Sequence, residues 1–241
     1  YKYSVYDEKK IILKERYKFQ NAGLNIDDAT MNFSKLYDRE FSRRNDSIHW
    51  LLITSLGSIK SFKTILEIGT YNGEFTNYLS LLFPDAAITT VDLPNNDPLL
   101  RESYDRNDEN KFQNYTDEQA KNTNKPNIKL IRSNTLFLLS NISLDEKFDL
   151  IWVDGGHLYP DVAWDLSNAY HLLNKGGYLL CDDVVKSDKY YSNGYVSTDS
   201  YEVLNYLEER IDGGITYFLK RISWVLYPRI KTRKYVALLK K

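Results

Sequence analysis

The sequence has little of what marks a secreted or a membrane protein. Its 241 residues include a single cysteine, Cys181, so no disulfide can form within the chain and we expect a cytoplasmic location. No apolar run approaches the roughly 20 residues that span a bilayer. The first residues, Tyr1-Lys2-Tyr3, contain no signal-peptide pattern, and we interpret the missing initiator methionine as the result of trimming or of how the chain was prepared.

The chain also lacks an excess of charge of either sign. Lys and Arg together number 32 and Asp and Glu 33, which gives a net charge of −1. We therefore expect neither nucleic acid nor an anionic membrane as a partner. With 42% hydrophobic and 27% charged residues, the composition is typical of a globular protein that buries a substantial core. A local basic patch remains open at this net charge.

The first sixty residues have the apolar spacing of helices. The pattern predicts one helix over Glu8–Phe19 and a second over Ser34–Ser58, with a turn-rich link at Asn21–Thr30. We interpret residues 1–60 as a helical cap. Its apolar residues would also suit a homodimer contact.

From Thr64 onward, predicted strands alternate with predicted helices. The helices are Gly73–Phe83, Leu136–Leu139, Asp161–Leu173 and Ser200–Ile211, and the strands are Thr64–Gly69, Ala87–Asp92, Ile128–Ile131, Phe148–Asp154, Tyr178–Cys181, Ile215–Ser223 and Lys234–Leu239. This order predicts an α/β, Rossmann-like fold: a seven-stranded, mostly parallel sheet with helices on both faces. The last two strands have no helix between them and are expected to pair antiparallel at one edge.

A polar insertion interrupts this alternation. Residues 95–127 contain few aliphatic side chains and are expected to form a surface segment that is either partly helical or mobile. Asn174–Gly177 has the pattern of a helix C-terminal stop. The simplest domain organisation is the cap followed by a Rossmann-like core over residues 61–241, together forming one compact domain.

The loop after the first strand has a glycine pattern that suits a nucleotide-like ligand. It reads Glu67-Ile68-Gly69-Thr70-Tyr71-Asn72-Gly73, so its glycines are spaced Gly-x-x-x-Gly. The dinucleotide fingerprint Gly-x-Gly-x-x-Gly is absent. Ligands of such sheets bind at the carboxyl ends of the strands, which makes this loop a candidate site. A plain strand-to-helix turn is the alternative.

The next two strands also end in polar residues. Asp92 follows Gly69 by roughly 20 residues, the offset at which a carboxylate accepts hydrogen bonds from ribose hydroxyls. Ser133 and Asn134 follow the third strand, where a side-chain amide would reach an adenine edge. A surface-turn aspartate and ordinary Ser-Asn turn chemistry are the respective alternatives.

The fourth and fifth strands end in Asp154-Gly155-Gly156-His157 and in Asp182-Asp183. Three carboxylates brought close together repel one another unless a cation or protons neutralise them. Oxygen ligands of this kind suit Mg²⁺ or a similar hard cation, so Asp154, Asp182 and Asp183 are candidate metal ligands. His157 is a candidate general base, because an imidazole accepts protons near neutral pH. The alternatives are a turn cap at Asp182, a solvated Asp183 and a structural His157.

The segment Glu67–Gly73 resembles the first motif of S-adenosylmethionine-dependent O-methyltransferases, in the form found in cation-dependent members. The stretch Phe148–Val184 contains Asp-Gly-Gly-His-x-Tyr, Asp165, Gly176-Gly177 and Asp182-Asp183, and it is similar to the macrocin O-methyltransferase group, which methylates sugar hydroxyls of natural products. The resemblance implies a class I methyltransferase fold and transfer of a methyl group to a hydroxyl of a small molecule, with a sugar among the implied acceptors and with divalent-metal assistance.

The resemblance also implies residue roles. Asp154 and His157 would be catalytic, and Asp154, Asp182 and Asp183 would hold the metal. The residues implied for the cofactor are Glu67, Gly69, Thr70, Tyr71, Gly73, Asp92, Leu93, Ser133, Asn134 and Asp154. Related enzymes often carry an acidic residue where this chain has Ser133-Asn134, so the adenine contact differs from theirs.

Other functions remain open from the sequence. A metal-independent methyltransferase that acts on nitrogen or another small acceptor is one. A nicotinamide-dependent oxidoreductase and a non-catalytic cofactor-binding module are the others. Tyr190, Tyr191, Tyr195 and Trp164 are candidates for an acceptor site or, alternatively, ordinary core and surface aromatic residues.

Overall fold

A computed structural model describes residues 5–42, 46–143, 145–186, 197–211, 213–225 and 230–241. From Thr64 onward, strands and helices alternate among these residues as the sequence pattern predicts. The helices are α1 (Val5–Asn21), α2 (Ile26–Tyr37), α3 (Ile48–Ile59), α4 (Glu74–Leu82), α5 (Pro98–Glu102), α6 (Glu109–Thr123), α7 (Leu138–Asn141), α8 (Asp161–Leu172) and α9 (Asp199–Glu208), with short 3₁₀ turns at Ser103–Asp105 and Thr135–Phe137.

The strands form a seven-stranded sheet in the order β3-β2-β1-β4-β5-β7-β6. Their bounds are β1 (Thr64–Ile68), β2 (Ala87–Asp92), β3 (Ile128–Arg132), β4 (Phe148–Val153), β5 (Leu173–Val184), β6 (Ile215–Val225) and β7 (Ile230–Lys240). Strand β1 pairs in parallel with β2 and β4, and β2 pairs in parallel with β3. Strands β6 and β7 pair antiparallel. The predicted Rossmann-like α/β fold is therefore confirmed, with β7 lying one strand inside the edge.

Side-chain caps explain why several helices begin where they do. The Asn25 side chain accepts hydrogen bonds from the Asp27 and Asp28 backbone N–H groups at the start of α2. Asp108 does the same for Lys111 at the start of α6. Asp97 caps α5 and is followed by Pro98, a residue that suits the first helical position because it has no N–H to satisfy. These local signals place two helices inside the insertion at residues 95–127, which confirms that it is partly helical.

The prediction of one helix over Ser34–Ser58 was wrong. Helix α2 begins at Ile26, within the predicted link, and ends at Tyr37. The next residue, Asp38, has a left-handed backbone with φ of 51°. Arg39 then forms a two-point ion pair with Asp46, at 2.8 Å for each contact, and this pair spans the break before α3. Strand β5 begins at Leu173, directly after α8, whereas the sequence pattern placed the start of this strand at Tyr178.

The chain divides into two compact units, residues 1–61 with 180–240 and residues 62–179 with 241. In the first unit the rings of Phe19 and Phe218 pack edge to face, with centroids 5.1 Å apart. In the second unit the central strands bury Ile65, Leu66 and Leu150 completely. None of the described helices is long and apolar enough to span a bilayer. The predicted division into a cap and a core stays a prediction.

Candidate cofactor and active site

The loop after β1 requires glycine at Gly69. This residue has a φ of 98°, and a Cβ atom built there would lie 2.2 Å from the carbonyl oxygen of Asp154. The ends of β1 and β4 thus meet so closely that no side chain fits between them. The Gly73 N–H donates to the Thr70 carbonyl at 2.9 Å, and Gly73, with a φ of 75°, leads into α4. The glycine spacing therefore serves a tight turn that exposes backbone groups at the sheet edge.

Glu67 lies beneath this loop and is fully buried. One of its carboxylate oxygens, Oε2, accepts hydrogen bonds from the hydroxyls of Thr76 and Thr90, at 2.5 and 2.6 Å. Its other oxygen, Oε1, has no hydrogen-bond partner among the described residues. Burial raises the pKa of Glu67 to about 7 against these two hydrogen bonds. The Thr70 hydroxyl, 2.6 Å from that of Thr90, connects the loop to the same network.

Asp92, at the end of β2, is held by contacts to both carboxylate oxygens. Its Oδ1 accepts from the Leu93 N–H at 2.9 Å, and its Oδ2 accepts from the Tyr115 hydroxyl at 2.8 Å and from Gln119 Nε2 at 2.9 Å. Burial, followed by the nearby Asp92 charge, raises the pKa of Tyr115 to about 12, so the phenol keeps its proton and donates it. Oδ1, which accepts one hydrogen bond here, retains capacity for a further one from a ribose hydroxyl.

Helix α6 of the insertion also holds the glycine loop. Gln119 Nε2 donates to the Tyr71 carbonyl at 2.5 Å, and Asn122 Nδ2 donates to the Asn72 carbonyl at 2.8 Å. The Arg132 guanidinium in turn donates to the side-chain oxygen of Gln119. One helix therefore fixes both the loop and Asp92.

Sequence reasoning missed this role of α6. Tyr115, Gln119 and Thr123 are the buried residues of the helix and recur every four positions. That spacing was the available signal, although it was weak in a segment this polar.

A cavity of about 500 Å³ opens at the ends of these strands, a volume in the range of small-molecule sites. Eight of the residues predicted for the cofactor or for catalysis line it: Gly69, Tyr71, Asp92, Leu93, Ser133, Asn134, Asp154 and His157. Glu67, Thr70 and Gly73 support the loop from outside this lining. The insertion adds wall residues that the sequence did not single out: Leu99, Leu100, Ser103, Tyr104 and Arg106.

Asp154 and His157 form the polar part of the wall after β4. His157 Nε2 lies 3.6 Å from Asp154 Oδ1, and about a third of each side chain is exposed. This separation is too long for a direct hydrogen bond. Both side chains thus present polar groups to the cavity.

Asp165, on α8, lies behind the Gly155-Gly156 turn. Its Oδ2 would be 2.5 Å from a Cβ at Gly155, so this position also excludes a side chain. Burial raises the pKa of Asp165 to about 7, against hydrogen bonds from Thr135 and from the Gly156 backbone. Its Oδ1 has no hydrogen-bond partner among the described residues. Asp165 is thus a buried carboxyl group that also forms part of the cavity wall.

Asp182 and Asp183, predicted as metal ligands, belong to the other unit and have lysine partners. Lys220 contacts Asp182 Oδ2 and, at 2.8 Å, Asp183 Oδ1, and Lys234 contacts Asp183 Oδ2. No group of three or more His, Cys, Asp or Glu side chains suitable for a metal occurs among the described residues. A divalent cation does not fit an acidic pair whose charge is already balanced in this way, so the structure does not support the predicted magnesium site.

Of the aromatic residues predicted for an acceptor site, Trp164 is half-buried in α8. Tyr190, Tyr191 and Tyr195 lie outside the described residues. The exposed rings that line the cavity are instead Tyr71 and Tyr104, whose centroids are 5.3 Å apart.

Solved structures of several methyltransferases share this fold. The O-methyltransferase TomG from Streptomyces achromogenes, solved with SAM, is 15% identical with a TM-score of 0.55, covering 90% of this chain and 89% of its own. An O-methyltransferase from Bacillus cereus, solved with SAH, is 15% identical with a TM-score of 0.51 and 79% coverage of both chains. A precorrin-6y C5,15-methyltransferase from Geobacter metallireducens is 11% identical with a TM-score of 0.52, covering 79% of this chain and 86% of its own.

At these identities the likeness shows the fold and leaves the acceptor open. A comparison with curated proteins found no match. The sequence itself matches a family described as a methyltransferase domain over residues 66–184, the part of the chain that contains the glycine loop, Asp92 and Asp154. This match favours a methyltransferase over the nicotinamide-dependent oxidoreductase that the sequence left open. The chain is therefore a class I S-adenosylmethionine-dependent methyltransferase, with its methyltransferase domain at residues 66–184.

Proposed function

We propose that this methyltransferase transfers the methyl group of S-adenosylmethionine to a hydroxyl of a small molecule, with His157 as the proton acceptor. The observation that carries the proposal is the position of His157 and Asp154, 3.6 Å apart, on the wall of the cavity that Gly69 and Asp92 also line. A nitrogen acceptor that reacts as the free amine needs a base less than a hydroxyl does, so this pair favours oxygen as the acceptor atom.

The cofactor is proposed to lie along the strand ends. Asp92 would accept hydrogen bonds from the ribose hydroxyls, and the loop Gly69–Gly73 would border the methionine portion. Leu93, Ser133 and Asn134 would border the adenine. Helix α6 would contribute by holding Asp92 and the Tyr71 carbonyl in fixed positions before the cofactor arrives. Such preorganisation lowers the entropic cost of binding.

The chemical step is an in-line displacement. Bound S-adenosylmethionine would supply the methyl group, which the acceptor oxygen would bond as the carbon–sulfur bond breaks and the sulfur keeps that electron pair. The hydroxyl proton moves to His157, and the negative charge of Asp154 stabilises the resulting imidazolium. Positioning supplies much of the rate because the sulfonium donor is already activated. No metal ion is assigned a step, since the predicted ligands Asp182 and Asp183 are paired with lysines.

The acceptor is proposed to carry a ring, with a sugar as the first candidate. Tyr71 is 51% exposed and Tyr104 is 75% exposed, and both line the cavity. Exposing a large aromatic surface to water costs free energy, and stacking a sugar or planar ring on that surface removes the cost. A chain that carries Leu at both positions would lose this stacking face while keeping the apolar volume.

Methyl transfer from labelled S-adenosylmethionine to a panel of glycosides and phenols tests the proposal. His157→Ala should lower turnover by roughly 10²–10⁴-fold, the usual contribution of a general base, while cofactor affinity stays unchanged. His171→Ala, at an exposed histidine on α8, is the matched control and should behave as the wild type. Near wild-type turnover of the His157 variant would remove this residue from the mechanism. Methylation of amines alone would contradict the proposed acceptor.

A further inference from the structure

The end of β5 contains a four-residue cluster of two carboxylates and two ammonium groups. Asp182 is 2% exposed and Asp183 is 18% exposed, and the side chains of Lys220 and Lys234 are 13% and 25% exposed. Lys220 contacts both carboxylates, whereas Lys234 contacts Asp183. The lysine ammonium groups thus contact three of the four carboxylate oxygens.

The backbone around Lys220 directs its side chain to this cluster. Leu219 pairs with Tyr235 and Arg221 with Lys234, so Lys220 is the extra residue of a β-bulge in β6. In a bulge, two residues of one strand lie opposite a single residue of the partner strand. The side chain of the extra residue therefore points in a direction that the regular alternation of the strand would not give it. The bulge therefore brings Lys220 to the same carboxylates as Lys234, its near neighbour across the antiparallel pair.

The charges of the cluster cancel. Two carboxylates carry −2 and two ammonium groups carry +2, the charge that one divalent cation would supply. His49 also interacts electrostatically with Asp182, Asp183 and Lys220, but burial lowers its pKa to about 3, so it adds no charge at neutral pH. Of the four carboxylate oxygens in the cluster, Asp182 Oδ1 has no hydrogen-bond partner among the described residues. Mg²⁺ is usually held by one or two carboxylates with waters completing its octahedron, and here lysine ammonium groups already contact three of the four carboxylate oxygens that would hold it.

We infer that Lys220 and Lys234 take the place of a divalent cation at Asp182 and Asp183, so that this chain binds no metal there and its methyl transfer is independent of metal. The two ammonium groups neutralise the carboxylates and fix their orientation at the end of β5. A divalent cation would have to displace both lysines and would meet their repulsion.

A titration with Mn²⁺, followed by electron paramagnetic resonance, tests this without any assay of activity. The wild-type chain should show no saturable site at millimolar Mn²⁺. The double variant Lys220→Met/Lys234→Met, which keeps the apolar stems, should gain one Mn²⁺ site that Asp183→Asn abolishes. Lys35→Met/Lys129→Met removes two exposed lysines and is the matched control for the change in net charge. It should bind Mn²⁺ no better than the wild type.

Two results would overturn the inference. One is a stoichiometric Mn²⁺ site in the wild-type chain that disappears in Asp183→Asn, a measurement that does not depend on whether the lysine variants fold. The other is a folded double variant, judged by circular dichroism, that gains no Mn²⁺ site. A second measurement, of activity, rests on the proposed function: turnover should be unchanged after dialysis against EDTA. Chelator-sensitive turnover would refute metal independence, whereas a lack of turnover on every acceptor would count only against the proposed function.

Discussion

Asp165 offers a quantitative test of the environment around the cavity. Its carboxyl group is 1% exposed, and its pKa rises from 3.8 to about 7, first because of burial and also because of the nearby Asp161 charge. The folded chain therefore holds this proton up to about pH 7, whereas the unfolded chain releases it near pH 4. This group therefore leaves the free energy of unfolding at its highest below pH 3.8. The free energy of unfolding falls as the pH rises from 3.8 to 7 and changes no further above pH 7.

Asp165→Asn removes this dependence while keeping the shape of the side chain. The difference between about 7 and 3.8, at about 1.4 kcal/mol per pH unit, corresponds to an upper bound of roughly 4 kcal/mol. The Asn variant cannot ionise, so at pH 8 it should unfold at a higher urea concentration than the wild type, and near pH 4 the two should be similar. The free energy of unfolding should consequently fall less steeply with pH in the variant.

Urea unfolding at a series of pH values from 4 to 8 measures this effect. Glu67 has a pKa raised to about 7 in the same unit, so Asp165→Asn should retain part of the slope and Glu67→Gln/Asp165→Asn should lose most of it. Asp85→Asn, at an exposed carboxylate, is the control and should keep the wild-type slope. If Asp165→Asn has the same pH dependence as the wild type, the argument that burial holds this proton is refuted.

The remaining predictions concern cofactor binding. Gln119→Ala removes the donor to Asp92 and to the Tyr71 carbonyl. The loss of about 1–3 kcal/mol of binding free energy should weaken S-adenosylhomocysteine binding roughly 5- to 150-fold, as measured by calorimetry. Gln113→Ala, on the same helix, should bind normally, and equal affinities of the two variants would contradict the positioning role. Gly69→Ala places a Cβ 2.2 Å from a carbonyl oxygen and should abolish cofactor binding. Gly23→Ala, with a φ of 71° but no atom within 4 Å, should lower only the melting temperature, and cofactor binding by the Gly69 variant would show that the loop relaxes.

The main parts of the fold and of the cavity could be predicted from the sequence because they follow from local patterns. Short β-branched runs followed by glycine or aspartate mark the carboxyl ends of parallel strands, which is why Gly69, Asp92 and Asp154 could be assigned to one edge. The break between α2 and α3 was not predictable in this way. The apolar spacing continues across it, and the break depends on the left-handed Asp38 and on the Arg39–Asp46 pair.

The partners of the candidate site residues depend on contacts far apart in sequence. Tyr115 and Gln119 reach Asp92 across 23 and 27 positions, and no local signal connects a polar helix of an insertion to a particular carboxylate. A polar insertion therefore looked like a surface segment, although its helix α6 supports the cofactor loop.

The sequence by itself determined the alternation of strands and helices, the glycine loop and the residues at the strand ends, because these depend on neighbours a few positions apart. Only the tertiary structure decided what neutralises Asp182 and Asp183. From the sequence, these two adjacent carboxylates were predicted to bind a metal together with Asp154. Their lysine partners lie 37, 38 and 51 positions away on strands β6 and β7, and a β-bulge directs one of them. Counter-charges of this kind are set by strand pairing and not by sequence proximity.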